Sequence, residues 1–110
     1  MFENISSSAK RLLITLYREY ISRMKSGQDI TSAAFFGSSQ DIKNRCLPEE
    51  PLANVEHWCR ELSREKYLSC FFADNTVYEV SLTDKAIREC EARFKGKLVE
   101  VAKFLSNFIP

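Results

Sequence analysis

The sequence predicts a mainly α-helical fold that contains one small β-hairpin. Over most of the chain, apolar residues recur every three or four positions, which is the period of one face of an α-helix. Between residues 68 and 82 the period changes to two, as in half-buried β-strands. The 110 residues are 45% apolar and 28% charged with a net charge of +1, which is ordinary for a globular protein. We therefore expect one compact domain over residues 1–110. The low net charge also excludes a histone-like protein, which binds nucleic acid through a large excess of positive charge.

Three helical segments are predicted before residue 50. From Ala9 to Met24, eight apolar residues keep the i, i+3, i+4, i+7 spacing, and Gly27 can end this helix. A short helix is expected through residues 33–36 with Gly37 as its breaker, so that the two phenylalanines belong to the core. A further helical turn is expected over residues 41–46. The residues that can cap the two short segments are Asp29 or Thr31, and Ser38 or Ser39.

A longer amphipathic helix and a hairpin follow. The helix is predicted over Leu52–Lys66, with Pro51 at its first position. Its expected buried stripe consists of Leu52, Val55, Trp58, Cys59 and Leu62. In the two strands that come next, the expected inward residues are Leu68, Cys70 and Phe72, then Tyr78, Val80 and Leu82. Asp74 and Asn75 between the strands suit a two-residue turn because both residue types tolerate positive φ.

The last helix is predicted to begin after Thr83, which can cap it, and Gly96 is expected to kink or break it. Residues 95–110 extend beyond the core, which we place at about residues 9–94. The extension carries a wide apolar face made of Leu98, Val101, Phe104, Leu105, Phe108 and Ile109. An exposed face of this size favours aggregation. It can fold back on the first helix or pair with its copy in a second subunit, and we favour a twofold homodimer.

No residue pattern indicates an enzyme, a metal site or a cofactor. His57 is the only histidine, and neither a nucleophile motif nor a Gly-rich loop accompanies it and Glu61. The four cysteines are Cys46, Cys59, Cys70 and Cys90. None of them forms a C-x-x-C pair, which favours reduced, buried thiols. Because the N-terminus lacks a secretory signal and no apolar run approaches the roughly 20 residues that span a bilayer, we expect a cytoplasmic protein that does not enter membranes.

The order of these elements resembles the winged helix-turn-helix superfamily. The local match is Leu62-Ser63-Arg64-Glu65-Lys66-Tyr67-Leu68, followed by the hairpin and then by Ser81-Leu82-Thr83-Asp84-Lys85-Ala86-Ile87. Many bacterial winged-helix proteins end their third helix in a similar L-x-x-x-x-Y-L phrase and open their last helix with L-T-x-x-G/A. The resemblance covers about residues 9–94. It implies a single winged helix-turn-helix domain with an extended C-terminal helix.

Sequence-specific DNA binding is the activity that this resemblance implies, as in the MarR and PadR regulators. In such proteins the third helix enters the major groove, and the tip of the wing contacts the minor groove or phosphates. The corresponding residues here are Asn54, His57, Arg60, Glu61 and Arg64 on the helix, and Asp74 and Asn75 at the wing tip. Four cations on the first helix and near the second helix are candidates for phosphate contacts: Lys10, Arg11, Lys43 and Arg45.

The local charge favours a second interpretation. Residues 51–83 carry three cations against five acids, a local net charge of −2. The expected wing tip also has a carboxylate where a phosphate contact needs Lys or Arg. A winged-helix module that binds a protein partner and never meets DNA fits this charge. The sequence therefore leaves two hypotheses, a dimeric DNA-binding transcription regulator and a protein-interaction module.

Overall fold

The computed structural model describes residues 2–108. Its elements follow one another as α1 (Ser7–Lys25), α2 (Ile30–Ala34), β1 (Phe35–Gly37), α3 (Ser39–Cys46), α4 (Leu52–Arg64), β2 (Leu68–Ala73), β3 (Thr76–Leu82), α5 (Asp84–Phe94) and α6 (Leu98–Ser106). The strands form an antiparallel sheet that packs against α3 and α4. The mainly α-helical class with a small sheet is confirmed.

α1 lies at the centre of the core. The helix predicted over Ala9–Met24 is confirmed, and the Ser6 side chain caps it by accepting a hydrogen bond from the Ala9 N–H at 3.2 Å. Because α1 contacts α2, α4, α5 and α6, its buried surface is wider than one amphipathic stripe and includes Thr15. The Thr15 hydroxyl donates to the Arg11 carbonyl at 2.7 Å, so this buried polar group has a partner. The later helices therefore take their positions from α1.

The segment after α1 differs from the prediction. Asp29 caps α2 by accepting a hydrogen bond from the Ser32 N–H at 2.8 Å, but the helix ends at Ala34. The prediction of a helix through residues 33–36 is wrong at its end, because β1 starts at Phe35 and pairs with β3. Phe36 is buried as predicted, whereas Phe35 lies on the outer face of the sheet and is exposed. Strand pairing has overridden the local helical signal here.

The β2–β3 hairpin contains the predicted turn. Asp74 and Asn75 have φ values of 50° and 64°, the left-handed conformation that a two-residue turn of this kind requires. On β2, Leu68 is buried as predicted. Phe72 is 42% exposed. The prediction that β2 directs alternate side chains into the core therefore holds at Leu68 and fails at Phe72.

A β-bulge on β3 changes which residues face the core. The pairing shifts between Ser69–Ser81 and Phe71–Tyr78, and Glu79 in the shifted stretch has a φ of 52°. An extra residue in one strand reverses the alternation of side chains beyond it. Val77 is therefore buried and Tyr78 is 39% exposed. The prediction that Tyr78 faces the core is wrong.

α3 and α4 form a tight pair of helices. The Ser38 hydroxyl accepts a hydrogen bond from the Asp41 N–H, and the Asp41 carboxylate accepts one from the Ser38 N–H at 3.0 Å. Pro51 is the N-cap of α4 and not its first residue, and α4 ends at Arg64, two residues before the predicted end. The buried residues of α4 are Val55, Cys59 and Leu62, while Leu52 and Trp58 are half-buried.

The C-terminal part consists of two helices where one extended helix was predicted. Thr83 caps α5, as predicted, by accepting a hydrogen bond from the Ala86 N–H at 3.2 Å. α5 ends where Lys95 and Gly96 adopt left-handed conformations with φ values of 54° and 69°. The expected break at Gly96 is therefore confirmed, and the chain turns so that α6 packs on α1.

The apolar face of α6 is covered within this chain. Val101 is fully buried, and the half-buried Leu98, Phe104 and Leu105 pack against the core. The Phe104 ring meets the Phe94 ring edge-on at a centroid distance of 5.5 Å. Of the two arrangements open to the sequence, the structure has the fold-back on α1. The homodimer stays a prediction, and Ile109 lies outside the described residues.

The N-terminal segment is anchored to α5. Phe2 is buried, and its N–H donates to Glu89 Oε1 at 3.0 Å. The Tyr67 hydroxyl donates to the same oxygen at 2.8 Å, and Lys85 Nζ lies 4.3 Å from the centre of the Tyr67 ring. Burial, followed by the hydrogen bond to Glu89, raises the pKa of Tyr67 to about 12. Tyr67 therefore remains a neutral hydrogen-bond donor at physiological pH.

The four cysteines are free thiols. Cys59 and Cys90 are buried as predicted, whereas Cys46 and Cys70 are half-buried. Burial raises the pKa of Cys59 to about 12, which keeps it a neutral, apolar side chain. Over residues 2–108, no group of His, Cys, Asp and Glu side chains is arranged to hold a metal ion. None of the helices in this range has the length and apolar character to cross a membrane.

Candidate nucleic-acid interface

The outward surface of α4 carries a stripe of exposed polar residues. At 100° per residue, His57 and Arg64 lie within about 20° of each other, and Asn54 lies about 60° from His57. All three side chains are exposed, and none has a hydrogen bond or ion pair within residues 2–108. We call Asn54, His57 and Arg64 the α4 stripe. Its donors and acceptors are free to meet a ligand.

Arg60 is on the flank of α4 that faces the hairpin. Its Nη2 donates to the Asn75 carbonyl at 2.7 Å, and its Cζ lies 5.3 Å from the centre of the Phe72 ring. The guanidinium therefore contacts the backbone of the turn and the face of an aromatic ring at the same time. This arrangement fixes the tip of the hairpin relative to α4, and it occupies a side chain that the sequence assigned to base contacts.

Glu61 lies on the outward side of α4 between the directions of Asn54 and His57, and it contacts the start of α1. Its Oε1 accepts a hydrogen bond from the Ser6 hydroxyl at 2.9 Å, and its Oε2 accepts one from the Ser6 N–H. Free N–H groups and the positive end of the helix dipole favour a carboxylate at this place. Glu61 thus joins α4 to α1, and its oxygens are already in use.

The α3–α4 turn is held against α1 by Arg11, which the sequence offered as a phosphate contact. Arg11 donates to Glu49 at 2.8 Å and to Glu50 at 3.1 Å, and both carboxylates belong to this turn. Ser39, at the start of α3, donates to Glu56 of α4 at 3.0 Å. These contacts set the orientation of α4. These contacts join residues far apart in the sequence, so a local sequence pattern cannot predict them.

The remaining predicted contact residues are not part of the α4 stripe. Asp74 and Asn75 are exposed at the hairpin tip, where the Asn75 carbonyl is bound by Arg60. Lys43 is half-buried and donates to the Pro48 carbonyl at 3.0 Å. Arg45 lines an open groove of about 570 Å³ between α1 and α3, and α4 contributes no residue to that groove. Arg45 and the α4 stripe therefore belong to separate surfaces.

Several of the residues predicted to form a dimer interface pack against the core of this chain instead. Val101 is fully buried against the core, so a second subunit cannot reach it. Leu98, Phe104, Leu105 and Phe108 are half-buried. Val99, which the prediction did not include, is the most exposed large apolar residue of α6 at 66%. The surface of α6 left for a partner is therefore narrower than the sequence suggested.

Comparisons with known proteins address the fold. No family model matches the sequence, and no curated protein matches it. Among solved structures, 97% of this chain aligns with 67% of MepR, described as a transcription regulator of the Staphylococcus aureus multidrug efflux pump MepA, at 19% identity and a TM-score of 0.52. AF1382 from Archaeoglobus fulgidus aligns over 76% of this chain and 78% of its own at 20% identity and a TM-score of 0.47.

The chain has a winged helix-turn-helix fold. The resemblance found in the sequence is confirmed at this level by the likeness to MepR. In winged-helix terms, α3 and α4 are the helix-turn-helix, α4 has the position of its second helix, and the β2–β3 hairpin is the wing. At an identity of 19%, the likeness concerns the fold and leaves the function to be argued from the residues.

Proposed function

We propose that this winged-helix protein is a transcription regulator that binds DNA through the α4 stripe. The observation that carries the proposal is that Asn54, His57 and Arg64 are exposed and unpartnered within residues 2–108, on a helix that is anchored to the wing and to α1. Arg and Asn make bidentate contacts to guanine and adenine edges. The similarity to MepR, a transcription regulator, supports the same class of function.

The neighbouring residues are assigned positioning roles. Arg60 holds the wing tip and Glu61 holds the start of α1, so both set the angle at which α4 meets a groove. Asp74 repels phosphate, so we assign the wing contact to Asn75 and a phosphate contact to Lys43, while Arg45 lies on a separate surface and is given no role in this site. Such a regulator acts in the cytoplasm as a homodimer on a DNA site with twofold symmetry.

DNA binding of an Arg64→Ala variant tests the proposal. A site is first selected from a random DNA library, and affinity is then measured by fluorescence anisotropy over a salt series. If Arg64 contacts a base, its loss weakens binding by about 1–3 kcal/mol and relaxes sequence preference at one position. Arg88→Ala is the matched control, because Arg88 is an exposed arginine on α5 and its removal changes the net charge equally. We expect this control to bind almost as the wild type does.

Two results contradict the DNA proposal. One is the absence of measurable binding even at about 50 mM salt, where phosphate contacts are strongest. The other is an equal loss of affinity in the Arg64 and Arg88 variants, which indicates a charge effect without a reading helix. Either result favours the second candidate, a protein-interaction module. The exposed aromatic ring of Phe71 and the exposed carboxylates of Asp74 and Glu79 favour that candidate.

A further inference from the structure

The winged-helix sheet has two edge strands, and they differ in how well they are protected against pairing with another strand. The strand order β1-β3-β2 leaves β1 at one edge and β2 at the other. β1 is three residues long, and Arg23 Nη1 donates to its Phe35 carbonyl at 2.6 Å. Gly37 ends the strand with a φ of 76°, and the pairing with β3 is irregular at this point. Shortness, a covering charged group and irregular pairing are all features that block further strand addition.

β2 has none of these protective features. Its six residues, Leu-Ser-Cys-Phe-Phe-Ala, contain no charge and no proline, and the bulge lies on β3. Phe71 is 57% exposed and Phe72 is 42% exposed. An edge strand that is uncharged, regular and apolar is a template for pairing with another strand. This edge differs from β1 in every respect that matters for strand addition.

The backbone groups on the open side of β2 are unpaired. The Tyr67 carbonyl accepts a hydrogen bond from the Thr83 N–H at 3.2 Å, so the odd-numbered residues bond to β3. Alternation along the strand then directs the N–H and C=O groups of Leu68, Cys70 and Phe72 away from β3. Within residues 2–108, no backbone or side-chain group bonds to them on that side.

We propose that β2 pairs antiparallel with β2 of a second copy of this chain, which joins the two sheets into one of six strands. The charges at the two ends of β2 select this occupant and this direction. Lys66 precedes the strand and Asp74 follows it, both are exposed, and neither side chain has a partner in the described part of the chain. Antiparallel pairing brings Lys66 of each copy to Asp74 of the other. Parallel pairing brings like charges together.

The alternation also sets the register. We place Cys70 of the two copies opposite each other at the twofold axis, so that Leu68 lies opposite Phe72 of the second copy. The three residues whose backbone groups point away from β3 then all form hydrogen-bonded pairs with the second copy. The same register brings the end of β2 that follows Lys66 beside the end that precedes Asp74 of the second copy. The twofold axis is perpendicular to the sheet, so the α4 helices of both copies lie on the same face of the joined sheet. The dimer surface is thus β2 and not α6, and it does not depend on what α4 binds.

A lysine at position 71 tests the surface. Phe71→Lys places a charge on the exposed face of the edge strand, opposite Ser69 of the second copy, and we expect sedimentation equilibrium to show a monomer where the wild type is a dimer. Tyr78→Lys is the matched control, because Tyr78 is exposed beside Phe71 on the same face but on the central strand β3. This control introduces the same charge and is expected to remain a dimer. Circular dichroism verifies that both variants are folded.

A charge reversal tests the register and partner. Lys66→Glu places two acidic groups together at each end of the interface, and we expect the dimer dissociation constant to rise about fivefold. Adding Asp74→Lys to the same chain restores opposite charges and is expected to restore the wild-type constant. A monomeric wild type, a dimeric Phe71→Lys variant, or a double variant weaker than Lys66→Glu overturns the proposal. So does a dimer that Val99→Lys dissociates and Phe71→Lys does not, because that result places the interface on α6.

Discussion

Replacing Val101 by alanine tests whether α6 belongs to the core of this chain. Val101 is fully buried, and its helix contacts α1. The change removes two methyl groups, and at about 0.8 kcal/mol for each buried carbon, with a cavity term added, it costs about 2 kcal/mol. The higher helix propensity of alanine returns at most about 0.5 kcal/mol. We therefore expect the free energy of unfolding to fall by about 1.5–2 kcal/mol.

Urea unfolding followed by far-UV circular dichroism measures this difference. Val99→Ala is the control, because Val99 is two residues away on the same helix and is 66% exposed. The control is expected to leave the free energy of unfolding unchanged or to raise it by about 0.5 kcal/mol. The reasoning is refuted if the two variants unfold alike. It is refuted equally if the loss in Val101→Ala depends on protein concentration, since that result assigns Val101 to a contact between subunits.

Two further changes test contacts that hold the fold. Burial opposes the charge of Glu89, but the hydrogen bonds from Phe2 and Tyr67 outweigh it and lower the pKa of this carboxyl, so its stabilising effect is present at neutral pH and is lost as the pH falls below about 4.5. Glu89→Gln should therefore be less stable at pH 7 and approach the wild type near pH 3 in pH-dependent urea unfolding; parallel pH profiles would contradict this. Gly37→Ala should lower the melting temperature more than Gly27→Ala, because both residues have positive φ but only at position 37 does the added Cβ meet the Asp41 carboxylate, at 2.5 Å. Equal losses would show that backbone strain alone determines the cost.

Local signals predicted the elements whose causes are local. Asp29, Ser38 and Thr83 each cap a helix by accepting a hydrogen bond from a backbone N–H three residues later. Both partners of each cap therefore lie within one helical turn of the sequence. The Asp74-Asn75 turn is of the same kind, because the conformational preference of two residues determines it. These features were therefore accessible before any tertiary contact was known.

The errors arise where a distant contact decides. Phe35 was assigned to a helix, yet it pairs with Ser81, 46 residues later in the chain. The inward face of β3 was misassigned beyond Glu79, because glutamate gives no local signal of a bulge. The break at Gly96 was visible in the sequence, but the return of α6 onto α1 depends on the shape of the core. A period of apolar residues identifies a face and does not say what covers it.

The same limit applies to the candidate site. Helical spacing places Arg60 and Glu61 correctly on the outward side of α4. Their partners are Asn75 and Ser6, which are 15 and 55 residues away. Whether an outward side chain is free for a ligand or occupied by its own protein therefore follows only from the folded chain. Asn54, His57 and Arg64 keep their role as proposed contacts because the structure leaves them unoccupied.

The partners of the acidic residues also change the argument from charge. The net charge of −2 over residues 51–83 includes carboxylates that accept hydrogen bonds from other parts of the chain. Glu61 is bound at the amino end of α1, where the helix dipole offsets its charge, and Glu56 accepts the Ser39 hydroxyl. Among the described residues of the stripe, the charged side chain is that of Arg64. A phosphate approaching the stripe meets a less acidic surface than the sum over the segment implies, so the charge argues less strongly against DNA than it does in the sequence alone.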